Sequence, residues 1–342
     1  MSDLRTILTL EPRKALNDTI VAQIVELSVQ KTKAGDKEYI SLSLHDGGAE
    51  AKIKVWGDDP SFAILKEKGL RNVWKVEGAW SISEYGTELK KSTWTEATKE
   101  EKEMLFSGGS DRSGEMAEAW IEIQRQVVDI SHPGLRAVAE KVLLNYGEKF
   151  RRAAAARKNH HAIRGGLLLH TAQMMRTGKA LIPLYPLANP DILAAAILFH
   201  DLGKIFENDY AEGFVQQTTF SAEMMGHISI GMQTFLTFWG DMHTQFPDKF
   251  PPEQDIIKGY ICHCILSHHG QLDWGSPVEP RCPEAFILHT IDQLDAKMEM
   301  LKNAYQVNKP VVENIVEAAY PLRGSVAIPY NVAIKAKQEK AA

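Results

Sequence analysis

Hydrophobic and polar residues alternate along much of the first hundred positions, a period of two that predicts β-strands. In residues 50–56, Ala51, Ile53 and Val55 fall on one face, and the residues between them are polar or aromatic. The pattern predicts strands over 19–27, 39–44, 50–56 and 73–80, and a further strand near Leu89. Residues 59–66 read as a short helix between the third and fourth strands.

Beyond residue 115 the period changes to that of an amphipathic helix. Helices are predicted over 115–126, 135–155, 166–181, 191–204, 222–239, 255–267 and 283–306. Between the two patterns, Ser107–Gly114 has the glycine and serine content of a linker.

These patterns predict a multidomain α and β protein. Five short strands with a helix between the third and fourth favour an OB-fold, a five-stranded Greek-key β-barrel, over residues 1–105. Residues 106–115 are predicted as the linker and residues 116–325 as an all-α helical bundle. Residues 326–342 carry no strong pattern and are predicted as a solvated tail.

Composition narrows the class of protein. The 342 residues are 44% hydrophobic and carry a formal net charge of −5, which excludes a generally basic nucleic-acid coat but not a local basic groove. The opening stretch lacks the apolar core of a signal peptide, and no apolar run reaches membrane-spanning length. We therefore expect a cytoplasmic protein with no membrane partner.

The three cysteines also bear on location. They are Cys262, Cys264 and Cys282, an odd number without the spacing of a disulfide framework, which favours reduced thiols in the cytoplasm. Cys262-His263-Cys264 lacks the two-residue gap of a zinc knuckle and lies in an apolar, helix-like run. We interpret these cysteines as core thiols rather than metal ligands.

The candidate chemistry centres on His200-Asp201, which ends the apolar run 193–199. Other histidines and an aspartate lie on either side of this pair at intervals of about one helix, each at an apolar face or end: His170 upstream, and His227, His268, His269 and Asp292 downstream. A lone histidine on such a face is typically a core residue, but the set is hard to produce by packing alone. Imidazole nitrogens and carboxylate oxygens together suit a divalent transition metal. A buried Asp292 without such a partner would be costly, and Asp295 is its rival one helical turn later.

The same residues carry a family resemblance. His170, His200-Asp201 and Asp292, in that order on helices, resemble the HD superfamily of metal-dependent phosphohydrolases. The wider segments resemble the YhaM-type 3′→5′ exoribonucleases, which also have an OB domain before the HD domain. The segments are NHHAIRGGLLLH (159–170), LFHDLGKI (198–205), GHISIG (226–231), LSHHG (266–270), GSP (275–277) and IDQLDAK (291–297). The resemblance extends over about residues 15–305.

The resemblance implies a ligand set. His170, His200, Asp201 and Asp292 are expected to hold a metal, with Asp201 bridging two ions and Asp292 preferred to Asp295. His227 and one or both of His268 and His269 are expected to complete a second metal position. The resemblance favours Mn²⁺, although mixed His/Asp sites also accept Mg²⁺, Co²⁺, Fe²⁺ or Ni²⁺, and one or two ions remain open. Such ions activate water and neutralise the charge of a phosphodiester.

Residues around the ligands suggest further roles. Asp201 and Lys204 are predicted to be catalytic, and Lys204 would contact the scissile phosphate or orient Asp201. His161 would contact substrate or act as an acid on the leaving oxygen. Arg157, Lys158 and Arg164 lie in the most basic stretch of the chain, which either guides phosphates or is a solvated helix face.

For the barrel, we predict single-strand capture by aromatic stacking and a basic groove. The candidates are Tyr39, Trp56, Trp74 and Trp80, of which we expect one or two to be exposed. Trp56 has the best case because it shares a face with Lys52 and Lys54.

Three hypotheses follow. The first is a metal-dependent exonuclease that hydrolyses single-stranded RNA, or also single-stranded DNA, from the 3′ end to nucleoside 5′-monophosphates, with RNA favoured. The second is a phosphohydrolase of a small nucleotide with a regulatory OB domain. The third is a nucleic-acid-binding protein with an inert pocket. A compact helical domain with exposed Met and Trp side chains could also form a homo-oligomer.

Overall fold

A computed structural model describes residues 3–11, 14–32, 35, 37–106, 109–157, 161–307, 310–318, 322 and 324–332. The chain divides into two compact units. The first contains Met1–Ala117 and Tyr210–Gln217, and the second contains Glu118–Asp209 and Thr218–Ala342.

The first unit is built on a five-stranded antiparallel sheet with the order β3-β2-β1-β4-β5 in the described residues. Its strands are β1 (Ala15–Lys31), β2 (Glu38–His45), β3 (Glu50–Trp56), β4 (Val73–Ser83) and β5 (Gly86–Glu96). Helix α1 (Leu4–Leu8) precedes them, and α2 (Phe62–Lys68) lies between β3 and β4 as predicted. The edge strands β3 and β5 come close without pairing, so the sheet is barrel-like but not closed.

Strand β3 shows why the alternating pattern predicted this sheet correctly. Ala51, Ile53 and Val55 are buried, whereas Lys52, Lys54 and Trp56 are exposed. The buried side chains join a single hydrophobic core inside the curved sheet. Fixing that core face fixes the strand register, because a shift by one residue would turn it to solvent.

The second unit is mostly helical, as predicted. Its helices, with those that lead into it, are α3 (Lys99–Phe106), α4 (Gly109–Val128), α5 (Pro133–Arg152), α6 (Gly166–Leu181), α7 (Pro190–Phe199), α8 (Lys204–Glu207), α9 (Phe220–Gln245), α10 (Gln254–Ser267) and α11 (Pro283–Val307). In the part of the chain that the structure describes, no helix has both the length and the apolarity to cross a membrane.

The structure differs from the predicted linker over 106–115. Helix α4 begins at Gly109, since extending an established helix adds one hydrogen bond for each residue fixed, even over glycine and serine. Residues 107–108 lie outside the described residues, as do residues 333–342 of the predicted tail. The domain bounds themselves stay predictions.

Short strands interrupt the helical region. They are β6 (Asp209–Glu212), β7 (Val215–Gln217), β8 (Pro310–Val312), β9 (Ile315–Glu317) and β10 (Ser325–Ala327). The β6–β7 hairpin belongs mainly to the first unit, because the amide of Gln23 on β1 binds it. Gln23 donates to the carbonyl oxygen of Glu212 at 2.8 Å and accepts from the amide of Phe214 at 2.6 Å.

Candidate metal centre

Helix α7 delivers His200 and Asp201 into the core of the second unit. Asn189 caps the start of the helix by accepting from two backbone amides, and Pro190 occupies the first helical turn, where its missing N–H costs nothing. The helix is apolar and almost entirely buried up to Phe199. His200 and Asp201 at its end are therefore buried too, with 0% and 2% exposure.

Asp201 lies between two pairs of histidines. Its Oδ2 is 3.4 Å from Nε2 of His200 and 3.8 Å from Nε2 of His170. Its Oδ1 is 3.5 Å from Nε2 of His227 and 3.6 Å from Nε2 of His268. The two oxygens of one carboxylate thus face two separate nitrogen pairs, which is the arrangement of a bridging ligand.

Hydrogen bonds on the far side of three rings fix their tautomers. His200 Nδ1 donates to the carbonyl of Ile197 at 2.8 Å, and His268 Nδ1 donates to that of Ile265 at 2.7 Å. His227 Nδ1 donates to Glu207 Oε2 at 3.1 Å. Each bond leaves Nε2 as the acceptor that points to Asp201.

These inward atoms suit a metal. Nε2 of His200, His227 and His268 and Oδ1 of Asp201 are buried and have no hydrogen-bond partner among the described residues. Burying such atoms without a partner is unfavourable. Divalent cations on the two sides of Asp201 would satisfy these atoms, and the set of nitrogens and oxygens fits such ions.

His170 on α6 and two aspartates on α11 form the adjoining side of the cluster. Asp292 Oδ1 lies 3.4 Å from Nε2 of His170, whereas Asp295 Oδ2 accepts from Nδ1 at 2.6 Å. Asp292 therefore shares the inward edge of the ring and Asp295 lies behind it. Burial opposes a charged imidazole, but the two carboxylates outweigh it and raise the pKa of His170 to about 10.

His269 extends the second nitrogen pair. Ligand atoms of His227, His268 and His269 all lie within 4.8 Å of one another. His269 Nδ1 donates to the carbonyl of Trp274 at 2.9 Å, so its other nitrogen can act as an acceptor. Burial, together with the nearby His268, lowers the pKa of His269 to about 4, which keeps the ring neutral and able to bind a cation.

Lys204 contacts the central carboxylate directly. Its Nζ lies 2.6 Å from Asp201 Oδ2 and the side chain is mostly buried. Burial alone would raise the pKa of Asp201, but Lys204 and then His200 hold it well below its usual value. The lysine thus keeps Asp201 ionised in a low-dielectric environment.

Two glycines allow the backbone to form this cluster. A Cβ at Gly203 would lie 2.0 Å from the carbonyl oxygen of His227, so the turn after Asp201 packs directly against the backbone of that histidine. Gly226 has φ 71° and ψ 160° and breaks α9 just before His227. That conformation is essentially restricted to glycine.

The comparisons with known proteins agree with this geometry. Residues 160–297 match the family model described as the HD domain. A protein of Listeria welshimeri named 3′-5′ exoribonuclease YhaM is 30% identical over 308 residues, which cover 87% of this chain and 93% of that protein. The chain belongs to the YhaM family.

Other members of the YhaM family are similarly related. The 3′-5′ exoribonuclease YhaM of Shouchella clausii is 29% identical over 84% of this chain and 86% of its own length. That of a Geobacillus species is 30% identical over 80% and 81% of the two chains. No solved structure matches the chain. The HD domain implies dependence on a divalent metal, and the His/Asp cluster could bind one.

The other predicted residues of this YhaM-family chain lie at varying distances from the cluster. His161 is buried, adopts φ 47° and donates from Nε2 to Asp295 Oδ2 at 2.9 Å, so it joins the cluster through Asp295. Arg157 instead pairs with Glu223 at 2.5 Å and Glu207 at 3.7 Å.

Arg164 and Lys158 complete the basic stretch. Arg164 is partly buried, and burial, followed by the nearby Arg152, lowers its pKa. Arg152 itself pairs with Asp209 at 2.7 Å. Lys158 lies outside the described residues.

On the barrel, two of the four aromatic candidates reach the surface. Trp56 is 44% exposed and its ring lies 5.3 Å from that of Tyr39, which is partly exposed. Lys54 Nζ lies 5.3 Å from the Tyr39 ring, while Lys52 Nζ lies 3.5 Å from Glu26. Trp74 and Trp80 are core residues with 2% and 0% exposure, so they cannot stack on bases.

Two residues near the cluster were not predicted from the sequence in their observed roles. Asp295 orients His170 and His161, and Glu207 orients His227. The signal for Asp295 was available: it lies one helical turn from Asp292, so two acidic residues share one buried face. Glu207 gave no such signal, because its partner lies twenty positions away in another helix.

Proposed function

We propose that this protein is a divalent-metal-dependent 3′→5′ exoribonuclease that hydrolyses single-stranded RNA to nucleoside 5′-monophosphates. The observation that carries the proposal is the position of Asp201, with each carboxylate oxygen facing a different pair of histidine nitrogens. Membership of the YhaM family supports RNA as the substrate. Single-stranded DNA is proposed as a second substrate.

We propose the ligands as His170, His200, Asp201, His227, His268, His269 and Asp292. Ions at such a site lower the pKa of water and neutralise charge that develops on the phosphodiester. Mn²⁺ is the proposed ion, with Asp201 shared between two positions. Support for a transition metal comes from the unpartnered nitrogens on both sides of Asp201, and the carboxylates of Asp201 and Asp292 offer the oxygen atoms that suit Mn²⁺.

The protein's own groups supply the remaining steps. Lys204 holds Asp201 ionised and oriented, and the 2.6 Å ion pair favours this role over direct contact with phosphate. Nδ1 of His161 is buried and has no hydrogen-bond partner among the described residues. We propose that it holds a proton for the O3′ atom that leaves when water attacks phosphorus, while Asp295 stabilises the ring from Nε2.

We propose that the barrel holds the upstream part of the strand. Trp56 and Tyr39 offer aromatic faces for stacking, and Lys54 adds positive charge beside them. Lys52 is exposed on the same face of β3. For Arg157 the ion pair with Glu223 favours a structural role, and a phosphate contact would require that pair to open.

A labelled-strand assay tests the proposal. Purified protein with Mn²⁺ and a 5′-labelled single-stranded RNA should yield a ladder that shortens from the 3′ end and nucleoside 5′-monophosphates. Asp201→Asn should abolish the ladder, whereas Asp241→Asn, at an exposed position of α9, should leave it unchanged. RNA that stays intact with Mn²⁺, Mg²⁺, Co²⁺, Fe²⁺ and Ni²⁺, while a mononucleotide is hydrolysed, would overturn it in favour of a small-nucleotide phosphohydrolase.

Location and assembly stay proposals as well. The free thiols of Cys262, Cys264 and Cys282 support a cytoplasmic site of action. Exposed apolar side chains on the second unit, such as Leu187 at 87% and Phe286 at 56%, support a homo-oligomer. Light scattering of the purified protein measures its mass directly, and a monomer at micromolar concentration would contradict self-association.

A further inference from the structure

The loop that follows His269 is held in one conformation by its own backbone. The amide of Gly270 donates to the carbonyl of Ser267 at 2.8 Å, and that of Trp274 donates to Gln271 at 3.0 Å. Gly275 follows at φ 82°, and the hydroxyl of the buried Ser276 lies 2.8 Å from the carbonyl oxygen of Val278 and 3.1 Å from that of Leu266, within reach of either acceptor. A loop fixed in this way holds its side chains at defined positions.

Trp274 is the aromatic residue of that loop and touches the metal cluster through its backbone. Its carbonyl oxygen accepts from Nδ1 of His269 at 2.9 Å. Its ring lies 6.0 Å from that of His289, which donates to the carbonyl of His268 at 2.9 Å. His289 precedes Asp292 by one turn of α11. Trp274 therefore contacts one proposed ligand, His269, and also His289, which is hydrogen-bonded to the backbone of another, His268.

The exposure of Trp274 sets it apart. The chain has seven tryptophans, all in the described residues. Only Trp56 and Trp274 leave a large part of the side chain in solvent, 44% and 48%. A tryptophan side chain stabilises a fold or a complex most when its large apolar surface is covered. An exposed indole on a rigid loop beside a phosphodiester-cleaving site indicates a ligand with a flat apolar face.

We propose that Trp274 is the stacking platform for the nucleobase of the 3′-terminal nucleotide. This inference rests on the proposed exoribonuclease function and adds a substrate-binding residue to it. The terminal base lies one sugar away from the phosphate that is cleaved, so its platform must lie at the rim of the metal site. Stacking also tolerates every base, because each has a π-face, as an enzyme that removes successive nucleotides requires.

A cycle of two changes, one in the protein and one in the RNA, tests the platform. The substrates are an oligonucleotide with an ordinary 3′-terminal adenosine and the same strand with an abasic 3′-terminal ribose. With the wild-type protein, loss of the base should reduce kcat/KM for the first cleavage about tenfold. Trp274→Ala should reduce kcat/KM on the ordinary strand by the same factor, and it should cause no further reduction on the abasic strand. Trp274→Phe should keep most of the wild-type kcat/KM on the ordinary strand.

Trp56→Ala provides the matched control. It removes the other exposed tryptophan, which lies on β3, and should weaken binding of long strands while the effect of the terminal base persists. Metal content and the thermal unfolding midpoint of Trp274→Ala should match those of the wild type, which excludes damage to the fold.

The outcomes separate the two proposals. If the wild-type protein cleaves ordinary and abasic ends equally fast, or if Trp274→Ala keeps the full effect of the base, the stacking platform is wrong and the exoribonuclease remains. If the wild-type protein with Mn²⁺ degrades no RNA at all, the proposed function itself fails.

Discussion

The carboxylate of Asp295 lies directly behind His170, with Oδ2 2.6 Å from Nδ1 of the ring. The bond places a proton on Nδ1 and turns Nε2 toward Asp292 and Asp201. The same Oδ2 accepts from His161 at 2.9 Å. One oxygen thus orients both a proposed metal ligand and the proposed proton donor, a role for Asp295 that differs from ligation.

Replacing Asp295 should weaken metal binding although every proposed ligand remains in place. Asp295→Asn keeps the shape of the side chain but removes the charge that orients His170, and loss of such an outer partner costs about 10- to 100-fold in metal affinity. Isothermal titration of Mn²⁺ measures the change. Asp129→Asn, which loses only a surface ion pair with Lys179, is the control. Unchanged affinity in Asp295→Asn would show that the carboxylate has no influence on the site.

Metal binding should release a proton at neutral pH. Asp292 and Asp295 raise the pKa of His170 to about 10 against the effect of burial, so the metal-free ring is protonated at pH 7 to 9. A cation at Nε2 must displace that proton, and the apparent affinity should therefore rise with pH by about tenfold per unit up to about pH 10. Titrations in buffers of different ionisation enthalpy count the proton. A count of zero at pH 8 would contradict the protonated state.

Lys204 should matter for turnover because it holds Asp201 ionised and in place. We expect Lys204→Met to lower kcat about 10- to 100-fold with a smaller change in KM, and Lys204→Arg to keep part of the rate. Lys258→Met is a close control, since Lys258 also pairs with an aspartate three residues away at 2.6 Å, but near the surface. Equal rates for the Met variants at both positions would remove Lys204 from the mechanism.

Gly226 should be irreplaceable for a reason that concerns only the backbone. A Cβ there would meet no atom within 4 Å, yet φ 71° and ψ 160° are closed to other residues, so Gly226→Ala should lose about 1–3 kcal/mol of unfolding free energy. Gly240→Ala in the same helix also meets open space without a positive φ and should gain up to about 1 kcal/mol. Urea unfolding measures both changes. If Gly226→Ala left the free energy of unfolding unchanged, α9 would be able to continue through this position as a regular helix.

The sequence predicts which histidines and aspartates cluster better than it predicts what surrounds them. The strands follow from alternation, and the helices with their terminal histidines follow from periodicity, because both depend on neighbours along the chain. Contacts such as Arg157 with Glu223 depend on the folded chain, and local charge cannot distinguish them from a free basic surface. The break at Gly226 was likewise hidden, since the residues around it continue a helical pattern on both sides.

The β6–β7 hairpin is another feature that depends on contacts between distant parts of the chain. Its strands of four and three residues are too short to register as a pattern. They are stabilised by Gln23, which lies nearly two hundred positions earlier and is only 1% exposed. A buried glutamine in a strand predicts that something must satisfy its amide, but not what.

That hairpin also decides how the protein can be divided. A cut near residue 110 would separate Gln23 from the amide and carbonyl that it binds on residues 212 and 214, and would leave His45 and Phe106 without the Phe214 ring. The helical fragment would keep an unsupported hairpin that begins two residues after Glu207, the partner of His227. The two units are thus not interchangeable modules: no single break in the chain yields the first unit whole, and the second, cut out as residues 118–342, still carries the hairpin of the first.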